Sequence, residues 1–130
     1  MNIALYSSGL LALLLFALSL MVSLMRAKTQ RGVGYDPDPT AWLTKVVRAQ
    51  GNAAEYVPLF IILMLILEIE GTPNWADWVY IAICVARYSH AAGMLLSKNL
   101  DNPHPLRFIG ALGTYACGFI LSVLVIIAAI

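Results

Sequence analysis

Residues 3–25 read IALYSSGLLALLLFALSLMVSLM, an apolar run without a single charged side chain. A helix needs about 20 such residues to cross a hydrocarbon layer of about 30 Å, so this run is long enough to span a membrane. No basic segment precedes it and no small-residue cleavage site follows it. These features favour a permanent span over a cleaved signal peptide.

Three more apolar stretches follow, at residues 42–67, 75–97 and 106–130. The composition agrees with lipid as the solvent, because 61% of the 130 residues are hydrophobic and 12% are charged. Soluble domains average about 45–50% apolar and about 25% charged residues. The connecting segments are too short to hold a second domain. The sequence therefore predicts an all-α membrane protein, in which residues 1–130 form one bundle of four transmembrane helices.

Proline-rich and glycine-rich segments separate the spans. Residues 36–40 (DPDPT) lie between spans one and two, and they predict Asp38 as the N-cap of the second helix with Pro39 at its first position. Residues 71–74 (GTPN) and 102–105 (NPHP) separate the remaining spans in the same way.

Charged residues are distributed unevenly between the connections. The basic residues in or beside the first and third connections are Arg26, Lys28, Arg31, Lys45, Arg48, Lys98 and Arg107. Acidic residues surround the second connection, which has no basic residue. By the positive-inside rule, loops one and three face the cytoplasm and both termini face the other side. Three aromatic residues predict an interfacial belt on that other side: Trp75, Trp78 and Tyr80.

The overall charge and the cysteines exclude several classes of protein. A net charge of +1 gives no reason to expect a nucleic-acid partner. Cys84 and Cys117 lie inside apolar runs, and no spacing of Cys and His resembles a metal site. We interpret both cysteines as small hydrophobic core residues.

A polar stripe interrupts the second span. At about 100° per residue, Arg48, Asn52 and Glu55 fall within about 60° of one helix face. An ionisable group inside a membrane costs at least about 2.5 kcal/mol and needs a partner or a wet cavity. Two interpretations stay open, and they are compatible: a clamp in which Glu55 pairs with Arg87 of span three while Asn52 satisfies a neighbour, or a pocket for a zwitterionic ligand. Gln50 lies on nearly the opposite face, so a buried Gln50 would require protein on both sides of span two and hints at oligomerisation.

Spans three and four add two further features. His90 lies about 60° from Arg87 around the third helix and could extend the polar surface. In the fourth span, Gly110, Thr114 and Gly118 form a ridge of small residues that would allow close packing on a neighbour.

Residues 48–58, RAQGNAAEYVP, closely resemble the signature of the MAPEG family, the membrane-associated proteins in eicosanoid and glutathione metabolism. Arg87 and His90 form an Arg-x-x-His motif similar to that of microsomal glutathione transferase and microsomal prostaglandin E synthase. The four spans, the basic first loop and the total length also fit, so the resemblance covers essentially the whole chain. The minimal loops resemble those of a bacterial member, which implies a multi-pass protein of the bacterial inner membrane.

The resemblance implies a homotrimer that binds glutathione, as a co-substrate, between neighbouring subunits. One subunit would hold glutathione with five residues: Arg48, Asn52, Glu55, Tyr56 and His90. Gln50 and Arg26 would approach from the neighbour. Arg107 takes the place of the family's catalytic arginine, which stabilises the glutathione thiolate; a guanidinium beside a thiol favours this more nucleophilic form.

Three functions remain to be compared. The first is a glutathione transferase, with peroxidase activity as an extension, acting on hydrophobic electrophiles dissolved in membrane lipids. The alternative is a non-catalytic scaffold of the same family that binds lipid or glutathione. Two features favour the scaffold. Met94 stands where the family's transferases often have a tyrosine, and the loop between His90 and Arg107 is longer than in the synthases of the family. A transporter or channel is disfavoured, because the far half of span two is uniformly apolar.

Overall fold

A computed structural model of the protein describes residues 2–71 and 73–130. The described residues form four α-helices and no strand, as the apolar runs predicted. The helices are α1 (Ile3–Thr29), α2 (Trp42–Glu70), α3 (Ala76–Leu96) and α4 (Pro105–Ala128). All four are long and apolar enough to cross a membrane. Thr72, part of the predicted second turn, lies outside the described residues.

Both ends of α1 are capped. The Asn2 side chain accepts a hydrogen bond from the Leu5 backbone N–H at 2.8 Å and so satisfies a free donor of the first turn. At the other end, Gln30 adopts the left-handed conformation with a φ of 54°, and its N–H bonds back to the Arg26 carbonyl. Arg26 and Lys28 in the last turn favour extension of the helix beyond the apolar run, because cations stabilise the negative end of the helix dipole.

The predicted start of α2 is wrong by three residues. Asp38 does not cap the helix; its carboxylate accepts hydrogen bonds from the Thr40 N–H at 2.8 Å and the Thr40 hydroxyl at 2.7 Å. These two bonds hold the pKa of the Asp38 carboxyl below its ordinary value. The result is a separate turn, closed by the Ala41 N–H on the Asp38 carbonyl at 3.1 Å, and α2 begins after it at Trp42.

Helices α2 and α3 form the centre of the bundle, since each of them packs against the other three helices. Within the described residues α1 and α4 do not pack against each other. The closest approach joins α3 to α4. A Cβ atom on Gly110 would lie 2.5 Å from the His90 backbone nitrogen, and a Cβ atom on Gly93 would meet the Arg107 backbone. The small-residue ridge therefore packs as predicted, with α3 as its neighbour around Gly110.

The two ends of the bundle have different connections. Loops one and three meet at one end, where the Leu100 N–H donates to the Pro39 carbonyl at 3.2 Å. At the other end the Asn2 side chain donates to the Glu68 carboxylate at 2.6 Å. Loops one and three, which are predicted to face the same side of the membrane, thus lie at the same end of the bundle.

The outer surface is apolar, as in a protein whose solvent is lipid. Large hydrophobic side chains such as Phe16 and Phe119 are 72% and 75% exposed. Trp75 and Trp78 are exposed, as a belt at the membrane interface requires, but Tyr80 is fully buried and belongs to the core. Tyr80, five residues after Trp75, lies on the inner face of α3. Both cysteines are free and buried, as predicted.

Candidate functional site

A cavity of about 430 Å³ opens at the end of the bundle where loops one and three meet. Four of the predicted site residues line it: Arg48, Asn52, His90 and Arg107. They come from α2, α3 and α4, so only the folded bundle brings them together. The volume falls in the range of about 300–1,000 Å³ that is typical of small-molecule sites.

The α2 wall of the cavity is a single helix face. Thr44, Arg48 and Asn52 follow one another at intervals of four residues, and all three line the cavity. The Thr44 hydroxyl donates to the Asp36 carbonyl of loop one at 2.5 Å, which ties the loop to this wall. Arg48 is exposed and Asn52 is half-buried, so both can reach a ligand.

The predicted clamp between spans two and three exists, but Asn52 makes it instead of Glu55. The Arg87 guanidinium is 1% exposed and donates through Nη2 to Asn52 Oδ1 at 2.7 Å. Its Nη1 donates to Thr114 Oγ1 of α4 at 3.2 Å, and its central carbon lies 5.2 Å from the centre of the Tyr56 ring. Within the described residues no salt bridge joins Arg87 to Glu55, whose side chain is exposed.

The opposite wall depends on the close contact between α3 and α4. His90 is buried beside Gly110, and Arg107 lies against Gly93, where only a residue without a side chain fits. Arg107 is half-buried, and its Nη1 donates to the Leu100 carbonyl of loop three at 2.7 Å. One hydrogen bond thus fixes the guanidinium and leaves its other N–H groups available.

The remaining predicted site residues do not line this cavity. Glu55 lies on the exposed surface of α2. Tyr56 instead borders a small apolar groove of about 190 Å³ between α2 and α4, where its ring meets that of Tyr115 edge to face at 6.2 Å. Gln50 faces α1, with its Nε2 at 3.4 Å from the Ser19 hydroxyl. Arg26 lies near the end of α1, half-buried.

Several lining residues were missed from the sequence. Thr44 could have been found, because it continues the four-residue spacing of Arg48 and Asn52. Tyr35 and Asp101 come from loops one and three, and no periodic pattern indicates that they meet. Met94 also lines the cavity, one helical turn from His90.

The side chains of the cavity are rich in hydrogen-bond donors. Arg48 and Arg107 carry permanent positive charges with several N–H groups each, and Asn52 adds an amide. Such a set favours a ligand with carboxylate groups, to which guanidinium groups bind strongly and directionally. Among the described residues no group of three or more His, Cys, Asp or Glu side chains could hold a metal ion.

Comparison with known proteins decides the family. The MAPEG family matches residues 4–127, nearly the entire chain. The chain belongs to the MAPEG family. Together with its four apolar helices, this membership makes it an integral, multi-pass membrane protein.

Among curated proteins, this MAPEG protein is similar to the inner membrane protein YecN of Escherichia coli strain K12. The two are 36% identical over 83 residues, which cover 63% of this chain and 62% of YecN. The same figures hold for YecN of Escherichia coli O6:H1. The alignment thus spans less than two thirds of the length of these relatives.

Proposed function

We propose that this protein is a membrane-bound glutathione transferase that conjugates glutathione to hydrophobic electrophiles from the bilayer. The observation that carries the proposal is the convergence of Arg48, Asn52, His90 and Arg107 on one cavity. Glutathione has two carboxylates, and the donor-rich walls suit such a ligand. Membership of the MAPEG family supports the same assignment.

In this proposal Arg107 is the catalytic residue. A free thiol has a pKa of about 8.5, so little thiolate exists at neutral pH. A guanidinium beside the sulfur favours the thiolate, and the proton leaves to solvent. The thiolate then attacks the electrophilic carbon, a C–S bond forms, and the leaving group departs with the electron pair of the broken bond. Because Arg107 is half-buried, water screens its attraction to a thiolate less than it would for a fully solvated arginine.

We further propose a homotrimer in the inner membrane, with loops one and three in the cytoplasm. This orientation would open the cavity toward the reducing compartment, where thiols persist. Glu55 and Tyr56 lie outside the cavity of one subunit, Gln50 faces α1, and Arg26 lies in the last turn of α1. Their predicted contacts with glutathione would therefore need a site shared with a neighbouring subunit. The name of YecN supports the membrane assignment.

A second candidate function is a non-catalytic binding protein of the same family. The observation that favours it is Met94, which lines the cavity one turn from His90 and has no proton to donate. Such a protein would bind glutathione or lipid through the same donors without forming the thiolate.

The test separates binding from chemistry. Purified protein in mild detergent is titrated with glutathione by calorimetry, the thiolate is followed by its ultraviolet absorbance, and turnover is measured with chlorodinitrobenzene. We expect Arg107→Ala to lower turnover at neutral pH far more than affinity, and a higher pH to recover part of the loss. Lys28→Ala, which changes an exposed cation that does not line the cavity, is the matched control.

Each outcome distinguishes the two candidates. An equal thiolate signal in wild type and Arg107→Ala would remove Arg107 from the mechanism. Binding without a thiolate signal in either protein would favour the non-catalytic function. Absence of glutathione binding by the wild type would contradict both the transferase and a glutathione-binding scaffold.

A further inference from the structure

The buried guanidinium of Arg87 has no role in the proposed reaction, and it does not line the cavity. It spans three helices, since it lies on α3 and reaches Asn52 of α2 and Thr114 of α4. An arginine side chain has five N–H donors and no acceptor. Each group that it contacts by a hydrogen bond must therefore act as an acceptor.

The Thr114 hydroxyl is already oriented for that role. Its hydrogen is donated to the Gly110 carbonyl one turn earlier, at 2.7 Å. The lone pairs of Oγ1 are then left for Arg87 Nη1 at 3.2 Å. Thr114 is 2% exposed, so water does not compete for this bond. The backbone of α4 thus fixes the direction of the hydroxyl, and the hydroxyl holds the guanidinium.

The donors of Arg87 also determine the orientation of the Asn52 amide. Side-chain amides can be turned by 180°, and the hydrogen-bond partners decide which atom is which. Because Arg87 can only donate, the amide oxygen must face it, at 2.7 Å from Nη2. The NH₂ group is left on the other side of the amide. Since Asn52 borders the cavity, the group that it offers there is a donor.

We propose that Arg87, held by Thr114, is a positioning residue that turns the Asn52 NH₂ group toward the cavity and gives this site its preference for a ligand carboxylate. The inference rests on the proposed glutathione site, and it adds the residues that set its specificity. With its oxygen bound to Arg87, Asn52 adds a third donor to those of Arg48 and Arg107. A ligand carboxylate would find donors on all three, and Asp101 of loop three is left as the acceptor for a ligand ammonium.

The decisive variant is Asn52→Asp, which has nearly the same shape. The new carboxylate would pair with Arg87, so the melting temperature should stay equal to that of the wild type or rise. It would also replace the donor in the cavity by an acceptor. Hydrogen bonds to charged groups contribute enough that we expect glutathione affinity to fall about 10- to 100-fold. A purely structural role for Asn52 would leave affinity unchanged when stability is kept.

A second pair of variants tests the role of Thr114. Thr114→Val keeps the shape and removes the acceptor of Arg87, whereas Thr114→Ser keeps the hydroxyl. We expect Val to weaken glutathione binding and Ser to restore it to the wild-type value. A double-mutant cycle of Arg87→Met with Asn52→Ala completes the test: the loss caused by Arg87→Met should largely disappear when Asn52 is already absent. Additive losses, or unchanged affinity in Thr114→Val, would overturn the proposal.

A measurement without ligand separates this inference from the proposed function. The side-chain NH₂ resonance of Asn52, assigned by its loss in Asn52→Asp, should exchange with water in the wild type because it faces the cavity. This resonance should shift in Arg87→Met. If Arg87→Met does not fold, Thr114→Val should show the same shift. A protected NH₂ group would contradict the inference even if glutathione binds. An exchanging NH₂ group in a protein that binds no glutathione would contradict the proposed function alone.

Discussion

At the scale of single residues, the choice between Asn52 and Glu55 shows where sequence reasoning ends. Both belong to the polar stripe, but they differ by about 60° around the helix. The stripe and the need of Arg87 for a partner were correctly predicted. The Glu55 carboxylate was the expected partner because its charge is opposite to that of Arg87. Arg87 instead bonds to the neutral oxygens of Asn52 and Thr114. Angular position on the helix outweighs charge here, because a side chain that points outward cannot turn back to a buried group.

Because Asn52 and not Glu55 bonds to Arg87, the two residues should contribute differently to stability. Asn52→Ala leaves Arg87 with a buried N–H donor that lacks its acceptor. The free energy of unfolding should fall by about 1–3 kcal/mol. Glu55→Gln changes an exposed group without an ion pair among the described residues, so its effect should stay within about 0.5 kcal/mol. Thermal melting of the ligand-free protein in one detergent compares the two. If Glu55→Gln lowers the melting temperature as much as Asn52→Ala does, the carboxylate has a partner after all.

At the scale of helices, composition predicts spans better than it predicts their ends. The four spans were located within a few residues, because hydropathy depends on many residues at once. The start of α2 was wrong, because Asp38 and Pro39 suit a helix N-terminus and a turn equally well. The hydroxyl of Thr40 decides for the turn by bonding to the Asp38 carboxylate. Such competition between local motifs is invisible to periodicity.

A second prediction concerns the stability of variants at the close contact between α3 and α4. Gly110→Ala places a Cβ atom 2.5 Å from the His90 backbone nitrogen, so the helices must separate. Overpacking of this kind costs about 1–3 kcal/mol. The control is Gly118→Ala, whose Cβ would lie 3.6 Å from the Phe60 ring in ordinary contact. This variant should be neutral or stabilising, because alanine has the higher helix propensity.

Melting temperature and glutathione affinity are the measurements for this pair. We expect both to fall in Gly110→Ala, because His90 and Arg107 lie on the two helices that separate. Equal behaviour of the two alanine variants would mean that α3 and α4 adjust without cost.

At the scale of the whole molecule, the sequence correctly predicted four helices and the shared end of loops one and three. It indicated four of the eleven residues that line the cavity, and it missed Tyr35 and Asp101 because loop residues carry no periodic signal. One argument for oligomerisation was wrong. Gln50 finds the Ser19 hydroxyl of α1 inside the same subunit, so it does not require protein from a neighbour.

The trimer therefore stays a prediction based on the family resemblance. Native mass spectrometry in mild detergent, supported by chemical crosslinking, should show three copies of the chain. Glutathione should bind to this species, since Glu55 and Tyr56 lie outside the cavity of one subunit. A monomer that binds glutathione with full affinity would contradict the shared site.

The meeting of loops one and three has a consequence for how this protein can vary in evolution. Leu100 joins the two halves of the site, because its N–H bonds to Pro39 and its carbonyl accepts from Arg107. On the Leu100 side both contacts use main-chain atoms, which every amino acid supplies. Exchanging Leu100 for another hydrophobic residue should be tolerated, since its side chain also packs against the core. Inserting or deleting one residue between 97 and 105 would instead move Arg107 out of reach of this carbonyl. Relatives that share the bond between Leu100 and Arg107 should therefore differ in the amino acids of this loop but keep its length.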